Sequence, residues 1–238
     1  MNQIARITKR ELQAFFDSLM GYIMIVAFLG FSGFFTWLYG GDIFYVNQAS
    51  LQTFFNMAFW TLFFFIPALT MKAIAEEKRS GTLEFLLTKP VSGWQIVWGK
   101  FFGVIILIGI ALLLTLPYYL TVWSLGPVDH GAVWSGYLAL LLMSGAYTSI
   151  GIFASSLTNN QIVAFLLSLL IGICFHLIFG MLASGMPGLA GEVLQNLSLP
   201  AHFESVARGV IDSKDLIYFL SVIFLGMVAA ETALIKRT

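Results

Sequence analysis

The residues best placed to do chemistry in this sequence lie between Glu76 and Pro90, which read E-E-K-R-S-G-T-L-E-F-L-L-T-K-P. Five acids and bases fall within its first nine residues, and a short apolar stretch then ends at a proline. Both flanks are apolar enough to cross a membrane, so this polar insert is where the chain meets something in water. Glu76, Glu77, Lys78 and Arg79 carry the preceding span into water. Gly81 breaks that helix, Thr82 caps a new one and Pro90 cannot continue it. Leu83, Leu86 and Leu87 then share one face at i, i+3, i+4 spacing, while Glu84 points elsewhere. A helix of about two turns is not stable alone in water. It needs a partner, either the membrane surface or a protein groove, and periodicity leaves both open.

Other chemistry finds little support. Gly93–Lys100 (G-W-Q-I-V-W-G-K) superficially resembles a phosphate-binding loop. Its spacer is one residue too long, no Ser or Thr follows the lysine, and a membrane span follows it. No H-E-x-x-H is present, and His130, His176 and His202 are far apart in sequence. Cys174 is the single cysteine, so no disulfide forms within the chain, and its apolar surroundings predict a core position. His176 falls mid-span, where an ionisable group is a functional candidate; the alternative is a histidine hydrogen-bonded to a neighbouring helix. No Asp, Glu, Lys or Arg falls in the middle of a predicted span, which argues against an ion-coupled transporter or a cation channel. Net charge is zero, which gives no argument for nucleic acid.

The elements that position the insert follow from hydropathy. The chain is 59% hydrophobic and 10% charged, against about 25% charged residues in an ordinary soluble domain. Residues 1–18 alternate apolar and basic positions at helical spacing, which predicts an amphipathic helix in the headgroup plane. Its first apolar run begins late and continues too long for a cleavable signal peptide, so the first span is expected to be retained. Spans of about 20 apolar residues are predicted at 20–39, 54–75, 96–116, 133–157, 162–183 and 216–235, with a kink at Pro67 and an outer end at Pro117. Residues 184–215 are too polar to span and too apolar for a free loop, which predicts short interfacial or re-entrant helices. Ten of the twelve Lys and Arg residues then fall on the side of both termini. By the positive-inside rule that side is cytoplasmic, and so is the 76–90 insert.

The order E-E-K-R-S-G-T-L-E-F-L-L-T-K-P-V-S between spans two and three resembles the signature of ABC-2 type transporter permeases. The likeness rests on Glu76, Glu77, Gly81, Thr82, Glu84, Leu86, Leu87 and Pro90. Three further stretches, Ile66–Met71, Ala154–Phe165 and His202–Phe219, are similar to the gliding-motility-associated branch of that family. The resemblance implies an all-α integral membrane protein of six transmembrane helices, one permease domain over residues 1–238, without an ATPase site of its own. It implies a cytoplasmic coupling helix in 76–90 that engages a separate ATPase subunit, which binds ATP and Mg. It implies a second permease subunit, identical or different, with an extracytoplasmic domain in the gliding-motility systems, and a place in a bacterial cytoplasmic membrane with both termini inside. His202, Phe203, Glu204, Arg208, Gly209 and Asp212 form a second candidate functional region, on the extracytoplasmic side. The apolar interior suits a lipid, lipoprotein or polymer better than a polar solute. The alternative function is an integral membrane scaffold for motility machinery that transports nothing.

Overall fold

A computed structural model describes residues 3–39, 50–82 and 91–235. Leu83, Glu84, Leu86, Leu87 and Pro90 of the polar insert lie outside the described residues. Every regular element among the described residues is helical, and six helical stretches are long and apolar enough to cross a membrane: Leu19–Trp37, Gln52–Arg79, Gly93–Leu125, His130–Ser156, Gln161–Gly185 and Ser213–Ile235.

Helix α1 (Gln3–Asp17) is amphipathic, as its spacing predicts. It ends at Ser18, whose extended backbone and side chain cap α2 (Leu19–Trp37) by accepting from Met20 N. One residue therefore turns α1 into the first span. α1 packs on α5 (Gly93–Leu113), where Ile7 is buried and Thr8 Oγ1 donates to Gly99 O at 3.2 Å. Ser92 and Gln95 form a reciprocal capping box that starts α5.

Helix α3 (Gln52–Thr70) contains Pro67 and runs three residues past it. The chain then makes a turn over Met71–Ile74 before α4 (Ala75–Arg79). Span two thus does not reach the insert as one unbroken α-helix. Span three is also interrupted, at Leu114–Thr115, and resumes as α6 (Leu116–Leu125). Pro117 was expected to end that span. It sits instead in the first turn of α6, where a missing N–H costs nothing.

Helix α7 (His130–Ser156), capped by Asp129, is the centre of the packing and touches α3, α5 and α8. Span five is α8 (Gln161–Ile173), a π-helical turn (Cys174–Ile178) and α9 (Phe179–Gly185). Cys174 is only half-buried there, not in the core. The 184–215 region holds two nine-residue helices, α10 (Leu189–Leu197) and α11 (Leu199–Ala207), ahead of α12 (Ser213–Ile235). α7 also packs against α11 and α12.

The centre of the bundle is crowded because α7 is lined with small residues, which let helix backbones approach where lipid gives no hydrophobic drive for association. Ser144, Ala146, Thr148 and Ser149 are fully buried. A methyl group on Gly145 would lie 2.7 Å from Ile223 Cδ1, and one on Gly151 would collide with Thr70. Gly30, on α2, has open space around it. Gly151→Leu should therefore lower the thermal stability of the detergent-purified chain by about 1–3 kcal/mol, while Gly30→Leu leaves it unchanged. Equal melting temperatures for the two variants would contradict this packing.

Candidate functional site

The described part of the insert is anchored by four charges from three helices. Lys100 on α5 is 2% exposed, a position an ammonium holds only when paired. Its Nζ donates to Glu11 Oε1 at 3.0 Å and to Glu77 Oε1 at 2.9 Å. Arg10 Nη2 donates to the same two oxygens, at 2.8 and 2.9 Å. Two cations and two carboxylates thus neutralise one another and tie α1, α4 and α5 together. Glu77 Oε2 is buried without a hydrogen-bond donor. Burial alone would raise the Glu11 carboxyl, but Lys100 and Arg10 outweigh it and hold Glu11 below the ordinary value. Burial likewise works against the Arg10 charge, and the two glutamates reverse that, so its pKa is raised.

A second brace comes from α7. Ser155 Oγ accepts from Ile74 N and Ala75 N, both at 3.0 Å, and lies 3.0 Å from Met71 O, to which it donates. It therefore satisfies backbone groups freed where the helix breaks between α3 and α4. Lys78 Nζ donates to Ser156 O. α4 ends as the sequence predicts, with Gly81 at φ +70°, a left-handed conformation that glycine adopts without a Cβ penalty. Gly81 N donates to Lys78 O at 3.3 Å, and Thr82 Oγ1 donates to Glu77 O at 3.4 Å. Of the predicted insert residues, Glu77 is in the charged knot, Glu76 is exposed beside it, and Gly81 and Thr82 form the turn beyond it.

The second predicted region divides. His202 and Phe203 on α11 are buried, whereas Glu204, Arg208 and Gly209 are exposed. His202 Nε2 donates to Asn196 O at 3.0 Å, and Nδ1 lies 2.6 Å from Asp215 Oδ1. A backbone carbonyl only accepts, so Nε2 carries a hydrogen. This pair, with His202 stacked on Tyr218 at 3.9 Å, fastens α11 to the start of α12. Phe203 packs on Phe59 at 4.5 Å. Asp212 serves α12 differently, accepting from Lys214 N at 3.1 Å. Sequence reasoning missed Asp215, which reads as a flanking charge at the mouth of the last span.

His176 sits in the π-helical turn and is hydrogen-bonded to a neighbouring helix through Tyr147 OH, 2.6 Å from Nδ1. Phe59 and Phe63 stack on its ring at 4.4 and 4.3 Å. Among the described residues, no three His, Cys, Asp or Glu side chains gather where they could hold a metal ion.

The helices and the polar turn after span two agree with the outcome of family comparison. Residues 41–232 of the 238 match the model of the ABC-2 family transporter proteins. The chain belongs to that family. No curated protein matches it. As an ABC-2 permease it is a non-catalytic transmembrane subunit of an ABC transporter, and ATP hydrolysis belongs to a separate subunit. The charged knot is the part of this permease that joins the end of span two to its neighbours.

Lys100→Met leaves the Glu11 and Glu77 oxygens sharing Arg10 alone and should cost about 3 kcal/mol of stability. The pH dependence should change sign. In the unaltered chain the Glu11 contribution is complete above its ordinary value of 4.5 and is lost as pH falls through its lower folded value. In Lys100→Met, protonating Glu11 relieves repulsion, so lowering pH from 7 to 5 stabilises. Parallel pH–melting curves for both proteins would contradict this reading.

Proposed function

We propose that this permease carries force between a separate ATP-binding subunit and the membrane bundle through the 76–90 segment. In this reading the segment is cytoplasmic, as are both termini, and Thr82–Pro90 docks in a groove of the ATPase with Leu83, Leu86 and Leu87 as its anchor. Glu84 and Pro90 complete the segment that the family resemblance picks out. The observation that carries the proposal is the fixed path leading from Thr82 inward. Gly81 ends α4, Glu77 locks α4 to Lys100 of span three and to α1, and Ser155 locks the α3–α4 break to α7. A load applied at Thr82 reaches spans two, three and four without crossing an unbraced joint.

Two such permease subunits, identical or different, would form the membrane pathway in a bacterial cytoplasmic membrane. Each would sit on an ATPase that binds ATP and Mg. The stretches Ala154–Phe165 and His202–Phe219 favour a role in gliding motility or the secretion linked to it, with a partner permease that carries an extracytoplasmic domain. His202, paired to Asp215, would hold α11 in place on the extracytoplasmic face.

Leu86→Asp puts a charge in the anchor, and Gly81→Pro removes the left-handed turn. Both should abolish co-purification of the ATPase, or reduce coupled ATPase activity at least about tenfold, with membrane insertion intact. Unchanged co-purification and unchanged activity in both variants would refute the proposal.

A further inference from the structure

A cleft of about 580 Å³ opens beside the charged knot, between α1, the start of α2 and the end of span two. Its walls divide by chemistry. Phe15, Met20, Leu69 and Val104 make an apolar floor, and Ser18, Ser80 and Thr82 line it with hydroxyls. Met20 opens the first span and Leu69 lies at the end of α3. The cleft therefore sits where hydrocarbon gives way to headgroups.

Its charges balance. Arg10, Lys72 and Lys100 face Glu11, Glu76 and Glu77. Four of the six satisfy one another in the knot. Lys72 and Glu76 remain, four residues apart with Glu76 N donating to Lys72 O, and neither closes an ion pair among the described residues. The residual field is a separated plus and minus. An anion alone would satisfy Lys72 but face Glu76, and a cation alone the reverse. Lys72 precedes Glu76 by one hydrogen-bonded turn and so lies nearer the apolar end of span two. A ligand lying with its tail on the floor must therefore present its anionic group first and its cationic group beyond.

We infer that this cleft binds one phospholipid with a phosphate followed by a primary ammonium, a phosphatidylethanolamine. Its acyl chains lie on Phe15, Met20 and Leu69, its phosphate meets Lys72, and its ammonium donates to Glu76. A primary ammonium supplies three N–H donors, which a quaternary choline headgroup lacks. Net neutrality of the lining disfavours phosphatidylglycerol. The inference is independent of ATPase docking, because it concerns the chain alone in a membrane.

The test is native mass spectrometry of the delipidated full chain, titrated separately with phosphatidylethanolamine, phosphatidylcholine, phosphatidylglycerol and free phosphoethanolamine. The unaltered chain should bind one phosphatidylethanolamine at least about tenfold more tightly than the other two lipids. Free phosphoethanolamine should not bind. The charge-swapped variant Lys72→Glu/Glu76→Lys keeps net charge but reverses polarity and should lose that preference, and Lys72→Gln/Glu76→Gln should lose it as well. A Lys9→Gln control on α1 should keep it. Equal binding of all three lipids, binding of free phosphoethanolamine, or a preference that survives the charge swap would each overturn the inference.

Discussion

The structure depends on keeping one ammonium out of water. Lys100 is almost fully buried at the basic end of span three, a position that costs several kcal/mol unless its charge is met at close range. Glu11 and Glu77 meet it, and Arg10 keeps those two carboxylates from repelling each other. The consequence is geometric as much as energetic. Removing any one member exposes the others to an unbalanced charge, so α1, α4 and α5 hold one relative position. An exposed ion pair would give no such constraint, because water would substitute for either partner.

Around this fixed point the bundle is organised by α7. Its small residues let α3, α8 and α12 close on it, and its last turn supplies Ser155 to the broken end of span two. The break at Met71–Ile74 would otherwise be a hinge. With its backbone groups taken by Ser155, it becomes a bend of defined angle. The opposite end uses the same device, a buried polar pair between a short helix and a span, in His202 and Asp215. In both places a short helix that could not hold itself is fixed by buried polar contacts to longer ones.

The spans were legible because hydropathy over twenty residues is a one-dimensional property. So was the end of α4, since Gly81 needs no tertiary contact to adopt a positive φ. The knot was not legible. Arg10 and Glu77 are 67 residues apart and Glu11 and Lys100 are 89 apart, and each alone reads as a headgroup-level charge. Ser155 reads as one more small packing residue. Pro117 was misplaced because proline both ends one helix and suits the first turn of the next. The π-helical turn at Cys174–Ile178 breaks no propensity rule, so only the packing of His176 against Tyr147 and the phenylalanines reveals it.

The central claim is that the knot makes α1, α4 and α5 a single rigid unit. The most direct measurement is electron–electron resonance distance determination between spin labels at Lys9 on α1 and Arg79 on α4, in the permease assembled with its ATPase. The account predicts one narrow distance distribution, the same in nucleotide-free and ATP-trapped states. A distribution that broadens or shifts with nucleotide would show that α4 moves independently of α1, and would contradict it.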